Sequence, residues 1–232
     1  MRAPGRAEGW YQLARCRLAA NDPTRALAPA LRAVDLNRRS APHQTLSADV
    51  LRVLGRHAEA DAGYQRALAL NPDDAEALAG RARLLSDRDG PTQETAAAMR
   101  RAVTLLPGDP VLRYALAGIL EDRGQLEEAA SEYRHTLRTC AAEALPPATD
   151  WPQRELWLVR REGPHFALAG LLARLGRPRE AQAHRATFRR LSDYRNQVRR
   201  LHARLAYRPH DTSMRNALAQ LHLLGDRVVR SE

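Results

Sequence analysis

Short amphipathic segments alternate with turn residues along this chain. Over 112–120 the apolar side chains are spaced by three and four residues, and the same spacing returns over 126–137. This spacing is typical of a helix with one apolar face. Gly124 separates the two segments, and a Leu-Pro-Gly run at 106–108 precedes them, so residues that end helices lie where the pattern breaks. The pattern therefore predicts pairs of helices joined by short turns.

The same helix pair recurs along the sequence. Gly55, Gly124 and Gly176 each lie five residues before an alanine. The alanines at 60 and 129 are 69 residues apart, which is two units of about 34 residues with one inserted residue. We place four units over 7–40, 41–74, 75–109 and 110–143, a fifth starting near Glu162, and a partial sixth starting near Asp211.

These units resemble the tetratricopeptide repeat (TPR) family. Its pattern of about 34 residues combines a large residue and a leucine on the first helix with small residues and an aromatic residue on the second. The second unit matches this pattern at Ala48, Ala60, Tyr64, Ala67 and Pro72. The resemblance implies an all-α fold, a right-handed superhelical solenoid of antiparallel helix pairs, with about five repeats and a partial sixth.

Three segments follow from this assignment. Repeats 1–4 span 7–143, a non-repeat insert with a short helix near 154–161 spans 144–163, and 164–226 holds repeat 5 and the partial repeat 6. The second helix of repeat 5 extends to about Tyr207, either as one helix or with a break near residues 192–193. Pro29, inside a predicted helix, is expected to kink it. The last helix lacks a covering partner, so it docks on the preceding repeat or contacts a second copy of the chain.

Composition excludes several classes of protein. All 37 basic residues are arginine, which removes the lysine that a Walker-type phosphate loop or a Schiff-base enzyme needs. Cys16 and Cys140 form no CxxC pair, and the eight histidines form no HExxH motif. Neither GxSxG nor GxGxxG occurs. We therefore expect no catalytic residues, no cofactor and no bound metal.

The resemblance also implies a binding surface. In the TPR family the first helices line a concave groove that binds peptides, and such domains act as adaptors. We therefore expect a non-catalytic scaffold that binds a protein or peptide partner, which could be acidic. By the repeat register, the groove residues are Tyr11, Arg15, Asp49, Arg52, Arg83, Tyr114, Phe166 and Arg174. A chaperone-type carboxylate clamp is excluded, because lysine is absent and Gln12, Leu46 and Gly80 occupy the positions of the clamp asparagines.

The net charge of +10 offers a second hypothesis. Residues 1–150 contain 20 arginines and 20 acidic residues, whereas 151–232 contain 17 arginines and 7 acidic residues. An arginine-rich helix over 174–208 could contact nucleic acid, although a solvated helix face is the simpler interpretation. Its candidate residues are Arg185, Arg189, Arg195, Arg199, Arg200, Arg204 and Arg208. A third alternative is a regulatory or accessory domain of a larger enzyme system.

The start of the sequence and its hydropathy bear on location. No run of 18 apolar residues occurs, and residues 1–6 contain no apolar core of a secretory signal. We therefore expect a cytoplasmic protein that does not enter a membrane.

Overall fold

The computed structural model describes residues 4–147 and 149–230. Within these ranges it contains eleven helices and no strand. The helices are α1 (Pro4–Ala19), α2 (Pro23–Leu36), α3 (Ala41–Val53), α4 (His57–Leu70), α5 (Ala75–Asp89), α6 (Gln93–Leu105), α7 (Pro110–Asp122), α8 (Leu126–Ala142), α9 (Trp151–Arg174), α10 (Pro178–Tyr207) and α11 (Thr212–Arg230).

Local sequence explains where these helices begin and end. The Asp74 carboxylate caps α5 by accepting a hydrogen bond from the Ala77 amide at 3.0 Å. Helix α3 ends at Val53. Two residues later, Gly55 has a φ of 76°, in the left-handed region, and the amide of Arg56 donates to the Leu51 carbonyl at 2.9 Å. This is the Schellman arrangement that closes many helices. The turn glycines of the repeats thus have a backbone role.

The chain divides into two compact units, residues 1–123 and 124–232. Unit 1 contains α1–α7. Its helices pair in sequence order, and the first helices of successive pairs, α1, α3, α5 and α7, also contact one another in series. Small side chains dominate one of its cores, which consists of Ala48, Leu51, Ala60, Tyr64, Ala67, Ala77 and Leu84. These alanines let the helices approach closely, as the repeat pattern predicts.

Unit 2 contains α8–α11, and each helix packs against the next along the chain. Its core is more aromatic than that of unit 1. The buried members are Trp157, Leu158, Leu191, Tyr194 and Val198.

Two helices of unit 2 are longer than an ordinary repeat. The segment over 154–161 is not a separate short helix, because α9 runs for 24 residues from Trp151 to Arg174. Its buried face includes Arg154 and Arg161, so charged residues occupy positions where the sequence pattern expects apolar ones. Helix α10 is one helix of 30 residues that passes through 192–193 without a break.

In unit 1, helix α2 continues through Pro29, which is buried.

Candidate functional site

The first helices of unit 1 carry six of the eight predicted groove residues. We call the side chains that α1, α3, α5 and α7 present at these register positions the first-helix surface. The predicted groove residues that lie on this surface are Tyr11, Arg15, Asp49, Arg52, Arg83 and Tyr114. The remaining two, Phe166 and Arg174, lie on α9 in unit 2, where both are exposed.

Asp49 on α3 is the centre of a polar cluster. The Tyr64 hydroxyl donates a hydrogen bond of 2.6 Å to its carboxylate. Burial raises the pKa of Asp49, and this effect outweighs the hydrogen bond from Tyr64 and the charges of Arg52 and Arg83, which lower it. The structure therefore brings together three predicted residues from α3 and α5.

The two arginines of this cluster retain unused donor groups. Arg52 and Arg83 are both half-buried. Their Nε atoms are buried and have no hydrogen-bond partner among the described residues. A guanidinium group pairs with a carboxylate through two parallel N–H donors. Because these Nε atoms are buried, an acidic group entering between α3 and α5 would meet the terminal N–H groups of the two guanidiniums.

A second group of charges extends the surface toward α1. The pKa of Glu76 is raised first by burial and then by the carboxylates of Asp49, Asp74 and Asp109, whereas the guanidinium of Arg15 lowers it. Asp74 also accepts a hydrogen bond of 3.0 Å from the buried Thr45 hydroxyl. Acidic and basic groups thus alternate across the surface, which favours a ligand with both charges over a uniformly acidic one.

The two tyrosines of this surface differ in their surroundings. Tyr11 is half-buried, and the centroid of its ring lies 5.1 Å from that of His43. It packs against a buried core made of Ala14, Ala26, Ala30, Leu46 and Val50. The Arg15 guanidinium lies 5.9 Å from the Tyr11 centroid. Tyr114 is 40 % exposed, and burial of the rest of its ring, with the charge of Glu121, raises its pKa. Tyr114 is therefore the more accessible aromatic contact.

Sequence reasoning missed the part that Tyr64 plays in this surface. Tyr64 matched the aromatic repeat position on α4, and its hydroxyl reaches Asp49 on α3 because Gly80 leaves room on α5. A Cβ atom at Gly80 would lie 2.5 Å from the Tyr64 ring. A larger residue at position 80, such as the asparagine of a carboxylate clamp, would collide with this ring. The glycine was visible in the sequence, but its neighbour across the helix pair was not.

The predicted basic patch on α10 is divided by ion pairs. Arg195 pairs with the buried Glu162 at 3.1 Å, and Arg199 pairs with Glu155 at 2.8 Å. Both acidic partners lie on α9. The remaining candidates are exposed and comprise Arg185, Arg189, Arg200, Arg204 and Arg208. Part of the sequence's basic excess therefore serves to join α10 to α9.

Other chemistry is sparse in the described ranges. No helix there is both long and apolar enough to cross a bilayer, and no three metal-ligating side chains cluster. The Nδ1 atoms of His165 and His184 lie 2.8 Å apart. Burial, the neighbouring His184 and two arginines lower the pKa of His165 to about 4. Two imidazoles alone do not make a metal site.

The helix pairs and their register define a TPR-like all-α fold, which confirms the fold expected from the repeats. Among solved structures, the chain is similar to PilF from Pseudomonas aeruginosa, with 18% identity, a TM-score of 0.66, and coverage of 98% of this chain and 94% of that one. It is also similar to MamA from Desulfovibrio magneticus RS-1, with 16% identity, a TM-score of 0.59, and coverage of 81% and 96%.

A third similar structure is YrrB, described as a TPR protein with an unusual peptide-binding site. It is 17% identical to the chain, with a TM-score of 0.52 and coverage of 90% of this chain and 89% of YrrB. No protein-family model matches the sequence, and no curated protein matches it. At these identities the similarity establishes the fold.

Proposed function

We propose that the chain is a non-catalytic protein-interaction scaffold that binds a peptide segment of its partner on the first-helix surface of unit 1. The observation that carries this proposal is the convergence of charged side chains from three first helices, with Arg15 acting on Glu76 and with Arg52 and Arg83 acting on Asp49. YrrB, a protein of similar fold, has a peptide-binding site, which supports this use of the fold.

The ligand that this surface suits is an extended peptide of mixed charge. An acidic side chain would pair with the terminal N–H groups of Arg52 and Arg83, which are both half-buried. An apolar or aromatic side chain would pack on the exposed face of Tyr114. Tyrosine and arginine commonly dominate the energy of protein interfaces. The acidic surroundings of Glu76 would accept a basic residue of the same peptide.

A peptide-display selection with the full chain tests this proposal. Selected peptides are then measured by titration calorimetry against the wild type and the Arg15→Ala/Tyr114→Ala variant. We expect the variant to lower affinity at least about tenfold, since each side chain is a contact of the hot-spot type. Tyr11 is left intact because it also packs against the core.

Two controls make the selection decisive. Arg25→Ala changes an exposed arginine on α2, the second helix of the first pair, and should leave affinity unchanged. Circular dichroism must show equal helix content in all variants. Peptides that bind wild type and variant equally, or a failure to enrich any peptide, would contradict the proposal.

A further inference from the structure

An open cavity of about 560 Å³ lies beside α11 in unit 2. Three of its lining residues, Leu218, Ala219 and Leu223, are apolar and lie on α11. The polar part is formed by Thr149, which precedes α9, by His202 from α10 and by Arg215 and His222 from α11. We call this space the α11 cavity. Its volume lies within the range of about 300–1,000 Å³ that is usual for pockets that bind small ligands.

The two imidazoles of the α11 cavity are held in place by neighbouring aromatic rings. Trp151 stacks on His202 with centroids 5.6 Å apart and planes inclined by 25°. The Tyr194 hydroxyl and His222 Nδ1 form a hydrogen bond of 2.9 Å. Side chains fixed in this way lose little further freedom when a ligand binds. The polar wall of the cavity is therefore preorganised.

The charge of this wall is complementary to an anion. Arg215 donates to the Pro209 carbonyl and has further N–H groups on an exposed guanidinium. His202 Nε2 is buried and has no hydrogen-bond partner among the described residues. None of the described residues that line the cavity carries a carboxylate. The nearby carboxylates of Asp150 and Asp211 already accept hydrogen bonds from backbone amides at the starts of α9 and α11.

We propose that the α11 cavity binds a small carboxylate with an apolar body. The carboxylate oxygens would accept hydrogen bonds from the exposed guanidinium of Arg215. The hydrocarbon part would pack on Leu218 and on Leu223, which is 69% exposed. Such a group occurs both at the C-terminal residue of a peptide and in a free alkyl carboxylic acid.

Titration calorimetry with the full chain distinguishes these sources. The probes are N-acetyl-glycyl-leucine, the C-terminal amide of the same compound, octanoate and acetate. We expect the free acids with an apolar body to bind, the amide to bind at least about tenfold more weakly, and acetate to bind more weakly than either acid. Tighter binding of the dipeptide derivative identifies a peptide terminus as the ligand source, and tighter binding of octanoate identifies a free acid.

Matched variants locate the binding. Ala219→Trp fills the α11 cavity and should abolish binding, whereas Ala217→Trp adds the same bulk at an exposed position of the same helix outside the lining. Arg215→Gln keeps the helix and removes the charge, so it should weaken binding at least about tenfold even if the tryptophan variant misfolds. Equal binding of acid and amide, unchanged affinity in Arg215→Gln, or no binding by any probe would overturn the assignment. None of these results depends on a peptide binding to unit 1.

Discussion

At the scale of single residues, the position of Tyr64 depends on a glycine. Gly80 has no side chain, and the Tyr64 ring occupies the space next to it on its way to Asp49. The fully buried ring cannot move outward without losing packing against the small side chains around it. The hydrogen bond between Tyr64 and Asp49 therefore depends on the absence of a side chain at position 80.

Gly80→Ala should consequently destabilise the protein by about 1–3 kcal/mol, because overpacking outweighs the gain in helix propensity. Urea denaturation followed by circular dichroism measures this change. Gly170→Ala on α9 is the matched control, since a Cβ atom there meets no other atom within 4 Å. That variant should be neutral or up to about 1 kcal/mol more stable. Stabilisation by both substitutions would show that Tyr64 is free to move.

The sequence could predict which helices carry Asp49, Arg52 and Arg83 but not how these side chains interact. The repeat register placed Asp49, Arg52 and Arg83 on first helices, and the structure has them there. That Tyr64 hydrogen-bonds to Asp49 could not be deduced, because the distance depends on how closely α4 packs against α3 and α5. Tyr11 illustrates the converse, since a residue expected in the groove also packs against a core.

At the scale of helices, α9 and α10 are joined by a buried ion pair. Glu162 is almost completely buried, and Arg195 is its partner at 3.1 Å. Burial raises the pKa of Glu162 more strongly than the charge of Arg195 lowers it. Glu162 therefore favours folding most when it is protonated, and this contribution is lost as pH rises through its pKa in the folded protein. Arg195 limits that loss by stabilising the charged form.

Arg195→Met should therefore destabilise the protein in a pH-dependent way. The carboxylate loses its partner, at a cost of about 3 kcal/mol near pH 7, and this cost should shrink toward pH 4 because Glu162 then protonates. Urea denaturation across this pH range measures the effect. The exposed Arg200→Met should change stability by less than about 0.5 kcal/mol. Adding Glu162→Gln to Arg195→Met should restore much of the stability at pH 7, and a pH-independent loss would refute the argument.

The sequence pattern predicts the helix pairs of unit 1 but not the full length of α9. The turn glycines and apolar stripes predicted the helix pairs of unit 1, because small buried residues recur there at fixed spacing. In α9, the buried Arg154 and Arg161 interrupt the apolar stripe. Arg161 lies 3.8 Å over the ring of Trp157, its i−4 neighbour, and also donates to the Cys140 carbonyl on α8, a contact that no local pattern reveals. The sequence therefore predicts an insert with a short separate helix where the structure has the start of α9.

At the scale of the whole molecule, the net charge of +10 attracts nucleic acid electrostatically. Two of the seven candidate arginines of α10 pair with Glu155 and Glu162, and we expect the other five to contact phosphates. Binding that rests on phosphates is sequence-independent and weakens steeply with salt. We therefore expect the chain to bind duplex DNA at low salt and to release it near physiological salt.

Fluorescence anisotropy with a duplex of about 20 base pairs measures this dependence on salt. The triple variant Arg200→Gln/Arg204→Gln/Arg208→Gln should reduce the slope of log K against log salt by about 2 to 3 if all three side chains contact phosphates. A control variant replaces three exposed arginines of unit 1, at Arg32, Arg39 and Arg66. If it reduces the slope equally, the attraction arises from net charge and not from α10. Submicromolar affinity at physiological salt that only the α10 variant loses would instead make this helix a nucleic-acid site, because dispersed charge cannot produce such a difference.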